Sequence, residues 1–201
     1  MVTAPSAIAP AAGTTRLSGT AAGGTTQHRW PCVQRKIDTV QPGQVWSGPS
    51  LDEAADVERT AEMRRLVAEV SARRLPIADA EKSVVDFVKG LPEAQRERTA
   101  TAVFADLLRQ LDAERSEIIR GIERYGARQQ DLAVKLRAQN AELSDIRASG
   151  DTARATQAQE TILWDTRIFD ERRRSLTYVC EVPILIEQRL FALGRAMTGA
   201  L

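Results

Sequence analysis

Histidine, cysteine and aromatic side chains are scarce in this 201-residue chain, which has one histidine, two cysteines and 4% aromatic residues. Two cysteines, Cys32 and Cys180, are too few for a disulfide framework, and neither lies in the Cys-x-x-Cys spacing of redox or zinc motifs. We therefore expect either two free thiols or one bridge between them. We predict no cofactor and no structural metal site.

An excess of charge of one sign is also missing, since 28 Lys and Arg residues stand against 27 Asp and Glu residues. Nucleic-acid-binding domains normally present a basic field, so we expect no nucleic-acid partner. No apolar run approaches the roughly 20 residues that a transmembrane helix needs, and the start of the chain lacks the apolar core of a signal peptide. The sequence therefore predicts a soluble chain with no leader, no membrane span and no peripheral membrane association.

A long heptad pattern dominates what is present. Ten apolar side chains recur in steps of three and four: Phe104, Leu108, Leu111, Ile118, Ile122, Tyr125, Leu132, Leu136, Leu143 and Ile146. Arg115, Gln129 and Gln139 occupy the polar positions of this seam. A 3.5-residue period predicts a long helix whose narrow apolar stripe packs against a partner helix.

Turn residues at Ser149, Gly150 and Asp151 predict a helical hairpin, because Gly150 can adopt the left-handed conformation and Asp151 can cap a new helix. The fold class is therefore all-α: a long antiparallel hairpin resembling a coiled coil, with two shorter helices packed at its base. The bundle covers residues 50–201. The predicted helices span about 50–74, 76–90, 92–148, 151–181 and 183–199, the last break being set by Pro183.

The N-terminal segment has a different composition. Residues 1–28 are mostly Ala, Gly, Thr, Ser and Pro, which predicts a disordered tail with little to bury. Residues 29–49 contain Trp30 and Trp46 among proline and glycine, which predicts an extended arm whose rings must pack somewhere.

The W-P-C-V-Q-R-K motif at Trp30–Lys36 resembles the start of the mature region in small, uncharacterised exported α-helical proteins of proteobacteria. This resemblance covers fewer than about twenty residues and brings no known function with it. It implies export to the periplasm; the alternative compartment is the cytoplasm. Export would favour a Cys32–Cys180 bridge that pins the arm to the hairpin, whereas cytoplasmic thiols stay reduced.

Two features allow a chemical interpretation beside a structural one. His28 lies four residues before Cys32, and the two could bind a metal or haem iron, although a structural site usually has about four ligands. Three consecutive arginines at 172–174 could contact phosphates, or they could form an ordinary solvated helix face. No carboxylate pair stands out as an acid and base, so we predict that the protein is not an enzyme.

The sequence favours a non-enzymatic protein that binds other proteins, or itself, through the helical hairpin as a scaffold or assembly factor. The residues predicted to contact a partner are Trp30, Trp46, Arg115, Gln129 and Gln139. One alternative is a periplasmic chaperone or stress sensor, since Leu91–Gln95 resembles the Leu-Thr-x-x-Gln signature of that class with Pro92 replacing threonine. A second alternative is a metal- or haem-associated accessory protein that uses His28 and Cys32.

Overall fold

The computed structural model describes residues 30–201, which contain five α-helices and no strand. The predicted tail at residues 1–28, including His28, lies outside the described residues. The helices are α1 (Pro42–Val45), α2 (Ala61–Ser71), α3 (Ile77–Gly90), α4 (Glu93–Ser149) and α5 (Thr152–Thr198). The all-α fold class is confirmed, and α1 is a short helix inside the predicted arm.

Helices α4 and α5 form the predicted antiparallel hairpin. With 57 residues, α4 is roughly 85 Å long. It ends at Gly150, whose φ of 78° is left-handed, and the Asp151 side chain then accepts a hydrogen bond from the Arg154 backbone N–H at 3.0 Å. The turn chemistry that the sequence predicts is therefore present at the hairpin tip.

The hydrophobic core lies at the base of the hairpin, where α2 and α3 pack against the start of α4 and the end of α5. Arg189 of α5 joins these parts. Its buried guanidinium donates hydrogen bonds to the backbone carbonyls of Val70, Ala72 and Leu75 at 3.0, 3.0 and 3.1 Å. Burial lowers the pKa of Arg189. This side chain satisfies carbonyls that the end of α2 leaves free.

The first helix differs from its predicted span of 50–74. Only a 3-10 turn forms at Leu51–Ala54, and α2 begins after Thr60, whose hydroxyl accepts a hydrogen bond from the Met63 N–H at 3.2 Å. Arg59 holds the intervening loop, because it donates to the carbonyl of Ala54 at 3.1 Å and pairs with Asp106 of α4 at 3.2 Å. These tertiary contacts select Thr60 as the helix cap in place of Ser50.

The predicted break at Pro183 is wrong, because α5 continues through it as one helix. Proline removes the hydrogen bond to the carbonyl of Val179, one turn earlier. Val179 is exposed, while Ile186 and Leu190 are fully buried on the next turns. Packing of these turns into the core outweighs the local cost of the proline.

None of the helices within residues 30–201 combines the length and the apolar character that crossing a bilayer requires.

Candidate functional site

Arg115 lies at the junction between the arm and the hairpin. Its side chain is 2% exposed, and its Nε donates to Glu187 Oε1 of α5 at 2.6 Å. The two terminal nitrogens donate to the backbone carbonyls of Ile37 at 2.7 Å and Asp38 at 3.3 Å. This one polar seam position therefore joins α4, α5 and the arm, and the buried cation is neutralised by a carboxylate.

Further polar contacts run along the arm on either side of Arg115. Lys36 pairs with Glu123 at 2.7 Å, and this contact, followed by one to Asp38, raises the pKa of Lys36. The backbone N–H of Val40 donates to Asp112 Oδ1 at 3.0 Å. The arm therefore runs antiparallel to α4 and parallel to α5.

The two cysteines meet at the start of the arm. Cys32 and Cys180 lie at disulfide distance, with their Cα atoms 5.7 Å apart. Gln34 donates a side-chain hydrogen bond to the carbonyl of Cys180, and the Trp30 indole donates to the carbonyl of Gln34 at 2.6 Å. Trp30 and Cys32 pack against a small apolar cluster that includes Ile122 and Cys180. The start of the arm therefore contacts α5 in two ways, through the Cys32–Cys180 pair and through the hydrogen bond from Gln34.

Trp46 anchors the other end of the arm in the core. Its ring stacks on Phe104 of α4, with centroids 4.4 Å apart and planes inclined by 15°, and its indole N–H donates to the carbonyl of Pro49 at 2.7 Å. Gly194 of α5 lets the arm approach closely, because a Cβ at this position would lie closer than 3.0 Å to the carbonyl oxygen of Val45. Only glycine fits such a backbone approach.

Between the arm and α5 lies a mostly apolar cavity of about 310 Å³, which we call the arm groove. The residues that line it are Ile37, Val40, Gln44, Val45, Glu187, Gln188 and Phe191. Ile37 and Phe191 are 43% and 47% exposed, so apolar surface is open to solvent here. Glu187 also holds Arg115, which couples one wall of the groove to the anchored arm.

The two seam glutamines lie along the hairpin, away from the arm. Gln129 donates to the carbonyl of Phe169 at 2.8 Å, and Gln139 donates to Asp165 Oδ2 at 2.8 Å. Lys135 also contacts Asp165 at 2.8 Å, and these two contacts, that of Lys135 first, lower the pKa of Asp165. Both glutamines therefore connect α4 to α5.

The structure thus places Trp30, Arg115 and Trp46 along the contact between the arm and the hairpin, at its start, middle and end. Gln129 and Gln139 lie between the two long helices. Sequence reasoning did not identify Glu187 or Gly194. A glycine within a helical pattern is a signal of close backbone approach, so Gly194 was detectable. Glu187 resembles any other charged residue of an amphipathic helix and carries no such signal.

The metal alternative depended on His28 and Cys32. His28 lies outside the described residues, and the sulfur of Cys32 is at bonding distance from that of Cys180. A cysteine in a disulfide offers no thiolate to a metal. Within residues 30–201, no group of three or more His, Cys, Asp or Glu side chains is arranged to hold a metal ion.

No protein-family model, curated protein or solved structure matches this chain.

Proposed function

We propose that this chain is a non-enzymatic, exported protein that binds other proteins as a scaffold or assembly factor. The observation that carries the proposal is the arm groove, where Ile37 and Phe191 remain exposed beside a backbone held by Arg115. Exposed apolar surface on a fixed backbone favours binding, because little conformational entropy is lost when a partner orders against it.

The position of the two cysteines supports export. Disulfides persist in oxidising compartments such as the bacterial periplasm and are rare in the cytoplasm. Cys32 and Cys180 are 148 residues apart in sequence, yet the fold brings them together at the start of the arm. In an oxidising compartment this bridge would hold one wall of the arm groove in place.

Site-specific photocrosslinking in native cells tests the proposal. A photoreactive residue replaces the exposed Gln188 of the arm groove, and a matched control carries it at the exposed Lys89 on α3. We expect a small set of discrete crosslinked proteins from position 188 and none of them from position 89. Identical products from both positions, or no product from position 188, would contradict a binding role for the groove.

A periplasmic chaperone remains a second candidate, favoured by the exposed Leu163 and Trp164 on the hairpin. A chaperone of this kind would suppress aggregation of several unrelated unfolded clients at stoichiometric ratios. A scaffold would leave their light scattering unchanged while still giving the crosslinks at position 188. The two measurements together distinguish the candidates.

A further inference from the structure

Helix α5 carries a second apolar stripe on the face that points away from α4. We call it the outer stripe; its members are Trp164, Ile168, Tyr178, Val182 and Leu185. At about 100° per residue these five side chains fall within an arc of roughly 100°. The buried Asp165 and Leu176 face α4. They lie on average about 120° around the helix from the centre of this arc. The outer stripe is thus separate from the arm groove, and of its members Val182 also packs against the hydrophobic core at the base of the hairpin.

The largest side chains of the outer stripe are open to solvent. Trp164, Tyr178 and Leu185 are 64%, 72% and 53% exposed, while Ile168 is half-buried and Val182 is half-buried against the hydrophobic core. The stripe extends over about 32 Å of helix, and its steps of three, four and ten residues suit the side chains of another helix. Tyr and Trp are enriched at protein interfaces, because each combines an apolar ring with a polar group that can form a hydrogen bond.

The charges beside the outer stripe restrict what can cover it. Arg172 and Arg174 are exposed and lie about 80° to either side of the stripe's axis. Neither forms an ion pair within residues 30–201, whereas Arg173 lies 3.8 Å from Asp170. Two cations without an ion pair therefore border the middle of the stripe, where Glu171 and Ser175 separate its two apolar halves. Carboxylates on both edges of an incoming apolar face would complement them.

We propose that the outer stripe binds an amphipathic helix of another protein whose apolar face is bordered on both edges by Asp or Glu. The proposal rests on the protein-binding function proposed above and names the chemistry of one partner. A second copy of this chain fits less well, because pairing two stripes antiparallel brings Arg174 of both copies together at the centre. A membrane surface also fits less well, since Glu171 lies on the stripe and interfacial helices have strongly basic polar faces.

The test uses the full-length oxidised chain and two synthetic 21-residue amphipathic peptides. Both peptides carry the same leucine face; one has glutamate at its edges and the other lysine. We expect the glutamate peptide to bind at least tenfold more tightly by fluorescence anisotropy. The double variant R172E/R174E should reverse this preference, because the two edge charges change sign.

A second variant pair identifies the surface. W164A/Y178A should weaken binding of the glutamate peptide at least tenfold, whereas V134A, which removes a 56% exposed side chain from α4, should leave it unchanged. Equal binding of the two peptides, or equal binding by wild type and W164A/Y178A, overturns the proposal. So does dimerisation that W164A/Y178A abolishes, or binding to phosphatidylserine vesicles that the same variant abolishes. If peptide binding fails while the crosslinks from position 188 persist, the proposed function stands and only the outer stripe is excluded.

Discussion

The Nε of Arg115 lies 2.6 Å from Oε1 of Glu187, across the base of the hairpin and 72 residues away in sequence. The same guanidinium binds two carbonyls of the arm. Arg115 is therefore both an ion-pair partner within the hairpin and the main polar anchor of the arm. A substitution of Arg115 should therefore change both the attachment of the arm and the spacing of α4 and α5.

Replacing Arg115 with leucine should lower the free energy of unfolding by about 2–3 kcal/mol, since hydrogen bonds to a charged group are lost and two arm carbonyls lose their donor. Glu187→Gln should cost less, because the amide oxygen can still accept the hydrogen bond from Nε and the Asp112 carboxylate, 3.9 Å from the guanidinium, still offsets part of its charge. Urea unfolding at pH 7 measures both. Arg120→Leu, which alters an exposed pair with Glu117, is the control and should change stability by less than ~0.5 kcal/mol. An equal effect of the variants at positions 115 and 120 would show that the arm does not depend on Arg115.

Gly194→Ala should destabilise the fold by about 1–3 kcal/mol, because its Cβ would overlap the backbone carbonyl of Val45, which cannot move away as a side chain can. The stacking of Trp46 on Phe104 should loosen with it, which a red shift of tryptophan emission would report. Gly90→Ala is the control, since nothing lies within 4 Å of the added Cβ there. A variant at position 194 that is as stable as the one at position 90 would contradict the close approach of arm and helix.

Reduction of the Cys32–Cys180 pair should lower the free energy of unfolding, measured with urea, by about 2–5 kcal/mol. The reason is that a bridge between these residues closes a long loop and so restricts the unfolded chain. The double variant C32S/C180S should match the reduced wild type and should not respond to reductant. Intact-mass spectrometry of the chain produced in an oxidising compartment should show the loss of two hydrogen atoms. Two free thiols in that protein, with no effect of reductant on unfolding, would exclude the bridge.

The pH dependence of stability should include a contribution from Asp165. Its pKa is lowered from the ordinary 3.8 by hydrogen bonds from Lys135 and Gln139, so the unfolded chain binds the proton more tightly than the folded chain. The carboxylate therefore stabilises the fold above the ordinary pKa, and this contribution is lost as the pH falls through the lowered value.

Wild type should accordingly be more stable than Asp165→Asn at pH 7, and the difference should shrink as the pH is lowered below about 4. Urea titrations at several pH values measure this difference. Asp145→Asn, at an exposed position of α4, serves as the control and should differ little from wild type at any pH. A constant difference between wild type and Asp165→Asn down to the lowest pH would contradict the assigned contacts.

Sequence periodicity was sufficient to predict the hairpin, because the seam from Phe104 to Ile146 and the turn at Gly150 are local signals. It did not identify what covers the seam. From the sequence, Arg115 interrupts the apolar seam and is predicted to contact a partner protein. Its hydrogen bonds are instead to Ile37, Asp38 and Glu187 of the same chain, all more than 70 residues away in sequence. Periodicity shows which face of a helix is buried and leaves the covering segment unspecified.

The misplaced helix boundaries have the same origin. Ser50 and Pro183 carry strong local signals for starting and stopping a helix, but long-range contacts override both. Arg59 holds the loop before α2 through Asp106, and the buried Ile186 keeps α5 in register after the proline. A single sequence does not reveal such contacts between distant residues.

The separation of the two cysteines sets an order of events during synthesis. Cys180 follows Cys32 by 148 residues, after the whole of α4 and more than half of α5. An oxidant therefore has no second thiol within the chain to act on until the hairpin is nearly complete. Because the sequence has only two cysteines, a bridge between them has no competing pairing within it, and its closure would fix the arm onto a hairpin that has already formed.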